Sequence, residues 1–144
     1  MSARARQEEL IEDYLLLDDH RERFQLIVET AGASARTYPE EFRTDSRLIP
    51  GCVSKIWLAT RLSPEGTVDL FIESESPALH SIGALFSRMY CNESPQEVLD
   101  TEPEFVERLG IDRHLTPTRL RGLRQLRRTL VESVTALTLS VPEE

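Results

Sequence analysis

Residues 48–72 read LIPGCVSKIWLATRLSPEGTVDLFI, and this stretch decides the fold. Residues 53–62 are rich in β-branched, aromatic and aliphatic side chains. Ser63-Pro64-Glu65-Gly66 is a turn signal, and residues 67–72 place Val68, Leu70 and Ile72 on one face of a second strand. The pattern predicts an antiparallel hairpin over residues 53–72. Two strands alone are marginally stable, so at least one further strand or a helical cover is expected. On the N-terminal side, Pro50 fixes its own φ and biases Ile49 toward extended geometry, while Gly51 permits angles a side chain would forbid. Cys52 follows that turn directly and precedes the strand that holds Ile56, Trp57 and Leu58. The expected position is a loop tip, since buried turns leave backbone groups unpaired.

Outward from the hairpin the periodicity becomes helical. Residues 7–17 carry Leu10, Ile11, Tyr14 and Leu17 at helical spacing. Asp18 or Asp19 caps a second helix, in which Phe24, Ile27, Val28 and Ala31 form an apolar stripe that Gly32 ends. Residues 33–46 read as an irregular loop long enough to suggest a functional role. Beyond the hairpin, residues 77–90 are helical. Ser94-Pro95-Gln96-Glu97 has a capping Ser, Pro in the first turn and Glu three residues on. Thr101-Glu102-Pro103-Glu104 repeats the device for a short helix that Gly110 closes. Thr116-Pro117 opens a last helix to about residue 137. Its apolar stripe runs through Leu120, Leu123, Leu126, Leu130, Val134 and Leu137, and its other face carries Arg121, Arg124, Arg127 and Arg128. The tail, residues 140–144, is expected to fray. Helices, a hairpin and more helices make an α+β arrangement, with helices packed against a small antiparallel sheet.

A chain of 144 residues suits one domain over residues 1–144 and a core without disulfide or metal staples. With 40% hydrophobic and 29% charged residues it reads as an ordinary globular protein. Its net charge of -8 argues against a nucleic-acid or anionic-membrane footprint. No apolar run approaches the ~18 residues of a membrane span, and the N-terminus lacks a signal-peptide core. A cytoplasmic location is expected, where both cysteines would be reduced thiols.

Chemistry therefore concentrates on Cys52. Sulfur is a strong nucleophile, and Lys55 (the sole lysine) and Arg47 lie near enough in sequence to favour the thiolate. The competing reading is a small buried hydrophobe. A cysteine hydrolase or transferase would need a histidine base, and His20, His80 and His114 fall in no recognisable motif. Nothing has the spacing of a zinc, iron–sulfur or haem site, so no metal is expected. Cys91 reads as a helix-end packing residue, with a resolving thiol for Cys52 as the alternative. Trp57 reads as a core anchor of the sheet. The arginine face of the last helix reads as solvated, or as a surface for an acidic partner.

Two motifs carry a family resemblance. Ile49-Pro50-Gly51-Cys52-Val53-Ser54-Lys55-Ile56-Trp57 resembles the Ile-Pro-Gly-Cys-x-Ser-x-x-Trp signature of the SufE/CsdE sulfur-acceptor proteins of iron–sulfur cluster assembly. His114-Leu115-Thr116-Pro117-Thr118-Arg119 followed by Gly122-Leu123 resembles that family's second signature, and Ser94-Pro95-Gln96-Glu97 its intervening helix opening. Ser74-Glu75 stands where the family has Ser-Asp. The resemblance runs from about residue 10 to about residue 134. It implies a SufE/IscU-like α+β fold with the resting cysteine tucked under its loop. It also implies a sulfur-transfer partner of a cysteine desulfurase rather than a stand-alone enzyme. In that reading Cys52 takes sulfur from the desulfurase persulfide, stimulates the desulfurase, and passes the sulfur to an iron–sulfur scaffold or another acceptor. Gly51, Ser54, Lys55, Glu75 and Arg119 would bind the partner or organise the loop. The carrier would need no cofactor, because pyridoxal phosphate belongs to the desulfurase, and would act as a monomer or homodimer. A desulfurase-binding regulatory module without transfer is the alternative within the same fold.

Overall fold

The computed structural model describes residues 2–139, so the expected fraying of residues 140–144 lies outside the described residues. Helix α1 (Ala3–Leu15) starts where the Ser2 side chain accepts from the Ala5 N–H, several residues before the apolar periodicity begins. Helix α2 (His20–Thr30) is capped by Asp19, whose carboxylate accepts from the Arg21 and Glu22 N–H groups. Those bonds hold the Asp19 pKa below the usual carboxylate range. Residues 33–46 are not structureless: short 3-10 turns at Glu40–Phe42 and Asp45–Arg47 fold the segment over one face of the hairpin.

Strands β1 (Ile56–Leu62) and β2 (Val68–Ser74) pair antiparallel, with Ile56 opposite Ser74 and Leu62 opposite Val68. Period-two alternation then sorts their side chains. Ile56, Leu58, Val68, Leu70 and Ile72 face the main core. Trp57, Ala59 and Phe71 face the other way, where Tyr38 and Phe42 of the folded-over segment cover them. Trp57 is only half-buried there, with the Arg43 guanidinium 5.4 Å from its ring centre, so it anchors this small second cluster rather than the core. The further strand expected beside the hairpin does not form among the described residues. A single bridge between Leu48 and Trp57 stands in its place, and helices supply the remaining cover.

Helix α3 (Pro77–Tyr90) is the buried centre of that cover, capped by Ser76 with Pro77 in its first turn. Gly83 lets it lie against β2: a Cβ there would stand 2.7 Å from Ile72 Cγ2, closer than packing allows. Helix α4 (Pro95–Asp100) has the expected Ser94 cap. Helix α5 (Phe105–Arg108) does not repeat the device, because Thr101 is buried and Glu104, with no side-chain cap bond, precedes the helix. Helix α6 (Pro117–Leu139) lies across the core through Leu123, Leu126, Leu130 and Val134. Arg127 does not belong to its solvent face. It is 8% exposed and donates from Nη1 to the Val98 carbonyl at 2.8 Å and from Nη2 to the Leu99 carbonyl at 3.1 Å. Those carbonyls lie in the last turn of α4, where backbone acceptors have no helical donor and a cation is favoured. One main core joins these helices and strands, and among the described residues no helix is long and apolar enough to cross a membrane.

Candidate functional site

The Ile49 N–H donates to the Ile56 carbonyl at 2.8 Å and closes a loop of Pro50, Gly51, Cys52, Val53, Ser54 and Lys55. Gly51 has a φ of 77°, with nothing within 4 Å of where a Cβ would stand, so the turn needs glycine for its backbone angle and not for room. The return arm is fastened at Lys55, whose carbonyl accepts from Ser74 Oγ at 2.8 Å and from the Glu75 N–H at 3.1 Å. Glu75 thus contributes its backbone to the loop, and its carboxylate faces solvent, as does the Lys55 side chain. Ser74 ends β2, and Ser76, one residue past the Ser74-Glu75 pair, caps α3.

Cys52 points inward from the loop and is half-buried against the main core. Its neighbour Val53 points outward and is 84% exposed. The Cys52 sulfur rests on the second turn of α6, 3.2 Å from where a Cβ on Gly122 would be. The thiol borders a cleft of about 210 Å³. Ser54 and Leu79 line one side; Thr116, Thr118, Arg119 and Gly122 at the start of α6 line the other. The Arg119 N–H donates to Thr116 Oγ1 at 3.2 Å, so Thr116 caps the helix and holds this wall in place. The Arg119 guanidinium is exposed at the cleft, without an ion-pair partner among the described residues.

Burial raises the Cys52 pKa above that of an ordinary thiol. That overturns the expectation that Lys55 and Arg47 favour the thiolate. Arg47 stacks on Phe42 at 4.3 Å and borders a different hollow, with Leu58 and Thr129. Lys55 extends into solvent, where its charge is screened. The resting site is therefore a protected neutral thiol. A thiol in that state is a weaker nucleophile than an exposed one, because less of it is thiolate at neutral pH.

None of the three histidines lines this cleft. His20 Nδ1 and His114 Nε2 are 2.8 Å apart and bind each other, with His114 stacked on Phe24 at 4.8 Å. His80 packs against Gly32 in the 3-10 turn that follows α2. Cys91 is buried at the end of α3, where Arg36 Nη1 donates to its sulfur at 3.1 Å and Asp69 Oδ1 lies 4.0 Å away. Asp69 pairs with Arg61, five positions along β1 from Ile56, so Cys91 lies roughly 17 Å along the strand from the Cys52 end. A disulfide needs the two Cα atoms within about 7 Å, so Cys91 is a packing residue and not a resolving partner. Among the described residues no three His, Cys, Asp or Glu side chains converge as a metal site.

The structure thus gathers Cys52, Ser54 and Arg119, with Gly51, Lys55 and Glu75 shaping the loop around them. Leu79 is missed by both residue type and motif, whereas Thr116, Thr118 and Gly122 stand in the second family motif without a site role of their own. Gly122 carried a signal: a glycine inside an amphipathic helical stripe asks for a close approach by something.

The chain is similar in fold to a hypothetical protein from Thermus thermophilus whose solution structure is known. The two share 23% sequence identity with a TM-score of 0.77, over 94% of this chain and 97% of that one. The family model of SufE, the Fe-S metabolism associated domain, matches residues 8–134. That match takes in α2, the hairpin, the Cys52 loop and most of α6, and on it the chain belongs to the SufE family, whose domain is associated with iron–sulfur metabolism.

Proposed function

We propose that this protein is a sulfur carrier that accepts persulfide sulfur from a cysteine desulfurase on Cys52, stimulates that enzyme, and delivers the sulfur to iron–sulfur cluster assembly. The observation that carries this reading is a single thiol behind a glycine turn, seated at a small cleft that no histidine lines. In the transfer step the Cys52 thiolate attacks the outer sulfur of the donor persulfide. A new S–S bond forms on Cys52, the donor S–S bond breaks, and the donor leaves as a thiolate that keeps the electron pair. The proton of the transferred sulfur passes to the departing thiolate or to water, which leaves the terminal sulfur on Cys52 anionic, and no net oxidation occurs. Such an exchange requires neither a metal nor a resident cofactor; pyridoxal phosphate is the partner's.

The loop supports this chemistry in two states. Tucked in, the thiol is protonated and shielded from oxidants that attack exposed thiolates. Swung out, with bonds only at its ends, Ile49 and Lys55, and glycine at Gly51, it enters a partner's site with Val53 as an apolar contact beside it. After transfer, the hydroxyls of Ser54, Thr116 and Thr118 and the Arg119 guanidinium suit an anionic terminal sulfur in the cleft. The hydrolase reading loses support because no histidine borders the cleft. A regulatory module without transfer would not need the thiol at all. The compartment consistent with a reduced thiol is the cytoplasm.

Incubation with the desulfurase of the same organism and cysteine is expected to add one sulfur atom to Cys52, read by mass spectrometry of the alkylated peptide. The Cys52→Ser variant is expected to bind the desulfurase without stimulating it. Retained stimulation by Cys52→Ser, or a Cys52 that stays unmodified, sinks the carrier reading.

A further inference from the structure

The further strand expected beside the hairpin does not form among the described residues, and the place it would fill is open. In β1 the odd-numbered residues bond to β2, as the Lys55 carbonyl accepts from the Glu75 N–H just before it. The even-numbered residues therefore turn their backbone N–H and C=O groups to the opposite edge, as Ile56 does toward Ile49. The Leu48–Trp57 bridge occupies only the start of that edge, and the chain leaves it in the 3-10 turn Asp45–Arg47. Farther along, the Leu58 carbonyl, both backbone groups of Thr60 and the Leu62 N–H face no strand among the described residues. A hollow of about 260 Å³ lies along this stretch. Leu58 belongs to the main core and Ala59 to the cluster on the opposite face, yet both border the hollow together with Thr60. The hollow therefore follows the edge of the strand, where its backbone is reached. Arg47 and Leu48 close one end, and Thr129 and Ser133 bring small hydroxyl side chains to it from α6.

We propose that this edge receives an extended, acidic segment of a partner protein as the third strand of the sheet. An open edge templates another strand, because the main-chain bonds form whatever side chains the newcomer carries. At ~3.3 Å per residue, the stretch from Leu58 to Leu62 takes about five residues. In the antiparallel sense the residue opposite Thr60 exchanges two bonds with it, N–H to carbonyl in both directions. The lining supplies the charge preference. Arg47 is its one charged residue; it stacks on Phe42 and has no ion-pair partner among the described residues. Asp45 and Glu132, the carboxylates nearest to the lining in sequence, do not border the hollow. A carboxylate on the segment meets Arg47 and accepts from the hydroxyls around it. A second copy of the chain, pairing through the same edge, would bring a second Arg47 and no carboxylate of the lining, so the charge favours a different protein. The added strand continues the line of Leu48, in the arm that enters the Cys52 loop, and so anchors its owner beside that loop. That last step rests on the sulfur-carrier reading, whereas the chemistry of the edge does not.

The test uses the full chain and a fluorescein-labelled octapeptide of alternating valine and aspartate, with a valine–lysine octapeptide as its counterpart. Fluorescence anisotropy is expected to show saturable binding of the aspartate peptide, with the lysine peptide at least about tenfold weaker. Thr60→Pro removes the outward N–H and should weaken binding about tenfold, since proline is tolerated on an open edge but cannot donate. Thr60→Val loses the same hydroxyl and keeps the N–H, so it should change binding less than about twofold. Arg47→Gln should weaken the aspartate peptide about threefold or more. Amide hydrogen exchange reads the edge directly: Thr60 and Leu62 should exchange fast in the free protein and slow severalfold with saturating peptide. If Thr60→Pro does not fold, as judged by circular dichroism, exchange in the wild type decides. Protection of Thr60 and Leu62 without peptide, including protection by self-association seen in sedimentation, overturns the docking site. So does unchanged exchange at saturation, equal affinity of Thr60→Pro and Thr60→Val, equal binding of the two peptides, or no binding of the aspartate peptide. A Cys52 that never carries sulfur would overturn the carrier reading and leave these titrations unchanged.

Discussion

Replacing Gly122 by alanine should bring Cys52 out of its seat. The added methyl would stand 3.2 Å from the Cys52 sulfur and 3.8 Å from Ile56 Cδ1. The second distance is ordinary contact and the first is not, because carbon and larger atoms rest at about 3.5–4.0 Å. The sulfur must therefore retreat by about half an ångström. Ile56 is fixed in β1, but the loop is tied only at its two ends, at Ile49 and Lys55, and its tip faces solvent, so the loop yields. Two opposing effects set the stability. Alanine is favoured over glycine in a helix by about 1 kcal/mol, and crowding a packed site costs about 1–3 kcal/mol, at the low end where a neighbour can yield. The net change is a loss of at most about 1 kcal/mol, or roughly 2–4 °C in Tm. With Cys52→Ala as background the clash is absent and the same substitution should stabilise by about 1 kcal/mol, so a double-mutant cycle isolates a coupling of about 1–2 kcal/mol. The functional readout is alkylation of Cys52 by iodoacetamide at neutral pH. A thiol released from burial ionises more readily and is more accessible, so the rate should rise severalfold. An unchanged or slower rate, or a cycle with no coupling, would refute the seating of Cys52 on Gly122.

Other outcomes follow from buried polar groups. Arg127→Met removes the donors to Val98 and Leu99 and leaves those carbonyls of α4 unpaired; urea unfolding should show a loss of about 2–4 kcal/mol. A loss below about 0.5 kcal/mol would place Arg127 among ordinary surface arginines. Burial, the neighbouring His20 and the Arg21 charge lower the His114 pKa below that of an ordinary histidine. The folded state therefore favours the neutral ring, and its contribution is present above the ordinary histidine pKa near 6.5 and lost as pH falls through and below it. Tm between pH 7.5 and 5.5 should fall further in the wild type than in His114→Gln; parallel curves would remove the pair from the account.

Much of the architecture was legible because it depends on near neighbours along the chain. The caps at Asp19, Ser94 and Thr116 are local hydrogen bonds, and the hairpin follows from two alternating runs about one turn signal, so each was present in the order of residues. The family motifs likewise placed Cys52 and Arg119 together before their geometry was known. Other features depended on what lay opposite. Residue type put Trp57 in the core, yet strand parity turned it to the outer face, where Tyr38 and Phe42 reach it from a segment read as loop. Helical periodicity put Arg127 on the solvent face, yet the end of α4 offered it carbonyls.

The sequence by itself determined the hairpin, the helices, the lone thiol on a glycine turn, and the family. Those rest on backbone preference, on periodicity, and on motifs contiguous in the chain. Only the tertiary structure decided the state of that thiol. Nearby positive residues suggested a thiolate, but Arg47 stacks elsewhere, Lys55 faces water, and α6 brings Gly122 under the sulfur from seventy residues downstream. Electrostatics and burial depend on distance through space, and that distance is set when α6 crosses the core.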